Sequence, residues 1–216
     1  SYFSKTSRLG RVNTGSVAQR LADTPGVART ILGAARAARG MPGADPRAMS
    51  HSWLFTGPPG SGRSLAAIDF AAALMCTDPE EPGCGRCEAC RAVLETKQHT
   101  DLVLVDPQEV IIPVDTVREV IGRAASLPTV APWRVVIFNN ADRLNNNGAN
   151  ALLKTVEEPP ARTVIIMCAP SDAPEDFSQT LRSRCRHLYI PSPSVESITA
   201  QLVSEGASDH DAHLAA

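Results

Sequence analysis

The sequence has no surplus of positive charge. Its 216 residues carry 21 Lys and Arg against 23 Asp and Glu, a formal net charge of -2, which excludes the broad basic footprint of a self-sufficient DNA binder. Any contact with DNA is expected to be local or shared with partners. No run approaches the 18 apolar residues of a transmembrane helix, and the basic opening stretch SYFSKTSRLGRVNTG is not followed by the apolar segment of a signal peptide. The chain therefore reads as cytoplasmic, with no membrane partner and a fold that does not depend on disulfides. Internal repeats and low-complexity tracts are also lacking, and His51, His99, His187, His210 and His213 are scattered without metal-ligand spacing. What is present is 43% apolar residues, enough to bury a sizeable core.

Residues 1–15 show neither helical nor strand periodicity and read as a tag or disordered tail. From Val17 to Ala38 apolar residues recur at helical spacing, broken at Asp23-Thr24-Pro25-Gly26, which predicts two helices. Apolar runs bounded by turn residues follow at Ser52–Thr56, Leu102–Val105, Val135–Phe138, Val164–Cys168 and His187–Ile190. Helical patterns lie between them at Ser64–Leu74, Thr116–Ala125 and Ala149–Val156. Strands alternating with helices predict an α/β fold, a parallel sheet with helices on both faces, over 16–191. A helix at Val195–Val203 makes 192–216 read as the truncated start of a second domain. Trp53 and Trp133 are expected in the core or at its rim rather than as platforms for bases.

Between the first strand and the helix after it stands Gly57-Pro58-Pro59-Gly60-Ser61-Gly62-Arg63-Ser64. This fits the phosphate-loop pattern G-x-x-x-x-G-K-[ST] everywhere except the lysine. Glycines let successive backbone N–H groups turn inward on phosphate oxygens, and the following helix adds its positive N-terminal end. Arg63 keeps the charge but replaces a compact ammonium with a wide planar fork, so nucleotide is expected to bind weakly or not at all.

The strand Val135–Phe138 is where an ATPase of this kind carries an Asp that holds magnesium and often a Glu that orients water. Asn139 and Asn140 stand there instead. An amide neither binds magnesium tightly nor acts as a base at neutral pH, so both tasks fail together. Asp142, two residues on, is the available substitute, while Asn145-Asn146-Asn147-Gly148 reads as a loop capping the next helix.

Four of the six cysteines, Cys76, Cys84, Cys87 and Cys90, form a C-x7-C-x2-C-x2-C array in a loop between two helices, a zinc module over 76–90. Four thiolates at this spacing point first to tetrahedral zinc, with an iron–sulfur cluster as the rival; the C-x3-C-P continuation of a ferredoxin run is absent. A site with all four positions filled is structural. Cys168 and Cys185 read as buried small hydrophobes.

Taken together, the phosphate loop, the four-cysteine insertion, the run Ala149-Asn150-Ala151-Leu152-Leu153-Lys154-Thr155-Val156-Glu157-Glu158-Pro159-Pro160 and the triplet Ser183-Arg184-Cys185 resemble the bacterial DNA polymerase III clamp-loader subunits of the AAA+ class. The likeness spans about Val17 to Val203. It implies a AAA+ nucleotide-binding fold followed by a small helical lid, here cut short. It also implies partnership with gamma/tau and delta subunits, the sliding clamp and, through the complex, primer-template DNA. Active gamma/tau members keep the lysine and an Asp-Glu pair, whereas delta-prime members have eroded motifs, so Arg63, Asn139 and Asn140 resemble the latter. Cys168-Ala169-Pro170-Ser171 also departs from the Thr-rich sensor of an active member. In the family the Arg of the S-R-C triplet reaches the nucleotide of the neighbouring subunit, which implies that role for Arg184. The alternative is an active gamma/tau-like ATPase in which Arg63 and Asp142 have taken over.

Overall fold

The computed structural model describes residues 15–204 and residue 214. The expected tail and most of the stretch beyond residue 204 lie outside the described residues. The chain opens with α1 (Val17–Arg20) and α2 (Pro25–Ala38), which lead into β1 (Ser52–Thr56) and α3 (Arg63–Met75). Next come α4 (Glu88–Arg91), β2 (Leu102–Val105), α5 (Val114–Ala124), β3 (Arg134–Phe138) and α6 (Asn146–Glu157). β4 (Thr163–Ala169), α7 (Gln179–Arg182), β5 (Arg186–Tyr189) and α8 (Val195–Ser204) complete it.

All strand pairings are parallel, in the order β2-β3-β4-β1-β5. The inner strands β1, β3 and β4 are buried along their whole length, the consequence of helices covering both faces. Alternate residues sort to the two faces as the strand period of two requires. Trp53, Phe55, Val135, Ile137, Val164 and Ile166 join the core beneath α1, α2 and α3. Leu54, Val136, Phe138, Ile165 and Met167 join the core beneath α5, α6 and α7. Trp53 and Phe55 lock α3 to the sheet through Phe70, edge-on at 5.2 Å and stacked at 6.1 Å.

The helix boundaries follow local chemistry. A reciprocal capping box between Ser16 and Gln19 starts α1. Pro25, whose missing N–H has no helical partner to lose, begins α2. Asn145 caps α6 by accepting from the Gly148 N–H at 2.9 Å, as expected, but Asn146, Asn147 and Gly148, expected in the loop, form the helix's first turn behind that cap. Trp53 is fully buried and Trp133 sits at the rim, donating to the Ala38 carbonyl at 3.2 Å. Among the described residues no helix is long and apolar enough to cross a membrane.

Candidate functional site

The phosphate loop joins the C-terminal end of β1 to α3, whose backbone cap is Gly62. Gly60 and Gly62 both hold φ at +82°, a left-handed conformation that costs an L side chain energy. The loop's root is tied down on both sides: Gly57 N–H donates to the Ala169 carbonyl and Ile190 N–H to that of Thr56. Arg63 turns back on this loop, its Nη1 donating to the Gly57 carbonyl at 2.5 Å. One edge of the guanidinium is therefore engaged by the loop's own backbone. Ser61 Oγ is buried with no partner among the described residues.

At the end of β3, Asn139 is buried and its N–H donates to the Val105 carbonyl at 2.8 Å, but its Oδ1 meets no donor among the described residues. Asn140 adopts the left-handed conformation at φ 51°, which asparagine tolerates better than most residues, so a backbone reason stands beside the loss of an acid. Asp142 lies exposed on the following turn. Ser171, beyond β4, bonds Asp176 at 2.7 Å in a local turn. The loop thus has the strand–glycine loop–helix backbone of a phosphate cradle, while the end of β3 offers two neutral amides where a magnesium site would use carboxylates. Beside it, a cavity of about 800 Å³ opens between α1, α3 and α8, lined by Arg20, Thr24, Ser61, Leu65, Asp69 and Ser197.

The four cysteines do converge. One sulfur from each of Cys76, Cys84, Cys87 and Cys90 lies within 4.8 Å of all the others, and the Cys76 and Cys87 sulfurs are 3.9 Å apart. Four sulfurs at about 2.3 Å from one tetrahedral ion stand about 3.8 Å from each other, so the cluster fits a metal of that kind. Backbone N–H groups point at three of the sulfurs: Asp78 to Cys76, Cys87 to Cys84 and Cys90 to Cys87, at 3.4, 3.3 and 3.4 Å. Hydrogen bonding within the cluster, foremost with Cys90, lowers the Cys76 thiol, and the same contact raises Cys90. The loop expectation needs one correction. Cys76 closes α3, Cys87 caps α4 and Cys90 lies inside α4, a helix too short to leave a period in the sequence. Cys168 is fully buried and Cys185 partly so, and burial pushes both thiols up to about 12.

Arg184 sits between α7 and β5, away from the phosphate loop in sequence. Its Nε donates to Glu157 Oε1 at 2.5 Å, and its Nη1 to the Thr180 carbonyl at 2.8 Å and Ser183 Oγ at 3.1 Å. The side chain remains 35% exposed.

A family model described as DNA polymerase III, delta subunit, matches residues 44–194. The delta-prime subunit of Pseudomonas aeruginosa is 35% identical over 165 residues, covering 73% of this chain and 49% of that protein. The chain belongs to the DNA polymerase III delta-prime family. It spans about half the length of the delta-prime relatives it matches. The gamma/tau subunit of Mycobacterium tuberculosis is also similar, at 33% over 166 residues, 74% of this chain and 28% of that one. In fold, the Thermotoga maritima RuvB Holliday junction branch migration motor superposes with a TM-score of 0.52 at 16% identity, over 88% of this chain and 54% of that one.

Three polar pairings in this delta-prime family member went unread in the sequence. On α3, Asp69 is buried and accepts from Arg20 Nε of α1 at 2.5 Å; burial pushes its carboxyl up to about 6 against the opposing pull of Arg20. An acid inside the run Ala66-Ala67-Ile68-Asp69-Phe70-Ala71 was the available signal. Asp101, fully buried, accepts from the N–H groups of Thr129, Val130 and Ala131 at 2.7, 2.7 and 2.8 Å and from Arg134 Nη2 at 3.1 Å. Burial works to raise its pKa, but these donors prevail and hold it at about 2. His187 Nε2 meets Thr56 Oγ1 at 2.5 Å beneath the phosphate loop, and burial, then Arg182, lower its pKa.

Proposed function

We propose that this chain is the nucleotide-fold part of a delta-prime-type clamp-loader subunit that hydrolyses no ATP in its own site. It helps a ring of related subunits load the sliding clamp on primed DNA, in the cytoplasm, and presents Arg184 to the nucleotide of its neighbour. The partners are gamma/tau and delta subunits, the clamp and, through the complex, primer-template DNA. Zinc held by Cys76, Cys84, Cys87 and Cys90 is structural: it ties the segment after α3 to the start of α1, where Val17 N–H donates to the Gly83 carbonyl at 2.8 Å.

The observation that carries this reading is the pairing of Arg63 with the Gly57 carbonyl in a site whose acid positions are Asn139 and Asn140. A cation drawn back to the loop backbone is less well placed for a terminal phosphate than an extended lysine, and neutral amides bind magnesium weakly and supply no base. The rival, a gamma/tau-like ATPase, draws support from the 33% identity to a gamma/tau subunit. Against it stands Asp142, the first acid after Asn140, which is exposed on the turn rather than at the strand end.

Steady-state ATP hydrolysis by the full-length chain alone, with magnesium and primed DNA, tests the proposal against an Arg63→Ala control. No turnover is expected from either. Turnover in the wild type that Arg63→Ala abolishes would overturn the reading. In the assembled complex, Arg184→Ala is expected to slow hydrolysis by the neighbouring subunit, within the range of about 10³ to 10⁵ known for fingers supplied in trans.

A further inference from the structure

Resting on that reading of Arg184, we infer that Glu157 is its positioning residue: the last residue of α6 holds the guanidinium at Nε and leaves Nη2 for the neighbour's phosphate. A guanidinium has five N–H groups. Three are engaged within this chain, one by Glu157 at 2.5 Å, one by the Thr180 carbonyl at 2.8 Å and one by Ser183 Oγ at 3.1 Å. Among the described residues nothing accepts from Nη2, so its two N–H groups are presented outward from a side chain 35% exposed.

Which edge Glu157 takes decides between holding and blocking. A carboxylate that masked the arginine would take Nη2 as well as Nε, closing the Nε–Nη2 fork that also fits a phosphate. Glu157 takes Nε alone, so a phosphate that accepts from Nη2 can bind the same guanidinium while Glu157 holds it. Both ends of the contact rest on buried anchors. Val156, beside Glu157, and Leu181, three residues before Arg184, lie in the core between α6 and α7, and Pro159-Pro160 stiffen the chain just after α6. The pair itself is half in water, with Glu157 46% exposed, and exposed ion pairs add little to folding stability. Its effect is therefore on where the arginine points. An unheld arginine samples many rotamers, and a displacement of about 1 Å in a catalytic contact can cost on the order of 100-fold in rate.

The test is steady-state ATP hydrolysis by the complex rebuilt from the full-length chain, its ATPase partners, the clamp and primed DNA, with Arg184→Ala, Glu157→Ala and Glu157→Gln. Glu157→Ala is expected to lower kcat on the order of tenfold with KM for ATP unchanged and the thermal midpoint of the isolated chain within a degree or so of wild type. Glu157→Gln, whose amide oxygen can still accept from Nε, should recover most of the rate. In an Arg184→Ala background Glu157→Ala should change nothing further, since the two act as one unit. If Arg184→Ala slows the complex and Glu157→Ala does not, the inference fails while the finger stands. Faster hydrolysis by Glu157→Ala would make Glu157 a mask and overturn the inference too. If Arg184→Ala itself has no effect, the finger reading falls and takes the inference with it.

Discussion

Asp69→Asn offers a sharp test of the electrostatics beside the phosphate loop. Asp69 is buried on α3 with Arg20 as its partner, and its carboxyl sits at about 6, up from 3.8. A folded pKa above the unfolded one means the folded state holds the proton more tightly. The stability this contributes is fully present below pH 3.8 and lost as pH rises through about 6. For this shift the full difference is about 3 kcal/mol, of which about 1.4 kcal/mol disappears between pH 5 and pH 8. The amide in the variant cannot ionise, so the gap between variant and wild type should move by about 1.4 kcal/mol over that interval, the variant gaining relative ground at high pH. Arg20 is 25% exposed and can turn to water when its partner is neutral, so no large penalty for a stranded charge should obscure the trend. Urea unfolding followed by tryptophan fluorescence at pH 5, 6, 7 and 8, with the two proteins side by side, measures it. A stability difference that stays constant across the range would refute the argument that burial outweighs Arg20.

Asp101→Asn should cost about 3–5 kcal/mol at pH 7 by the same assay, because it leaves buried Arg134 without its anion and turns an amide N–H toward backbone donors. Since Asp101 is held at about 2 against 3.8, its contribution of about 2.5 kcal/mol is present above pH 3.8 and lost as pH falls towards 2, the opposite sense to Asp69. A loss under about 1 kcal/mol in the variant would contradict this network. Cys87→Ser should abolish zinc retention in elemental analysis and remove hydrogen-exchange protection from residues 76–96 and α1 while the sheet stays protected. Global unfolding on chelation would show that the cluster supports far more than its own segment.

The sequence disclosed the sheet well because each inner strand is covered on both faces. Such strands are written as unbroken apolar runs between turns: Ser52–Thr56 ends where its run ends, and the runs Val135–Phe138 and Val164–Cys168 fall within β3 and β4. The phosphate loop and the cysteine cluster were legible for another reason: their chemistry needs fixed residue types at short spacing. Pairings across long stretches of chain leave no such trace. Arg20 and Asp69 are 49 residues apart and Glu157 and Arg184 are 27 apart; only the fold brings them together. Asn140 carries a further ambiguity, since the same amide that removes an acid also suits a left-handed turn.

On the proposed reading, in which the phosphate loop supports no hydrolysis, its glycines still need a reason, and the packing at Gly57 supplies one independent of nucleotide. A Cβ on Gly57 would collide with Ser61 and with the backbone carbonyl of Ile190, and Ile190 is itself bound to the end of β1 through its N–H. A backbone carbonyl cannot swing aside as a side chain does, so Gly57→Ala must displace the junction of β1, β5 and the loop, at about 1–3 kcal/mol. At Gly60 nothing lies within 4 Å of a Cβ, and Gly60→Ala meets only the conformational cost of φ +82°, about 1–2 kcal/mol. Measured without nucleotide, both variants should be destabilised, and only Gly57→Ala should also weaken hydrogen-exchange protection at Ile190. If Gly57→Ala is as stable as wild type without nucleotide, the loop has no structural role of its own, and its persistence must instead reflect a phosphate it still binds.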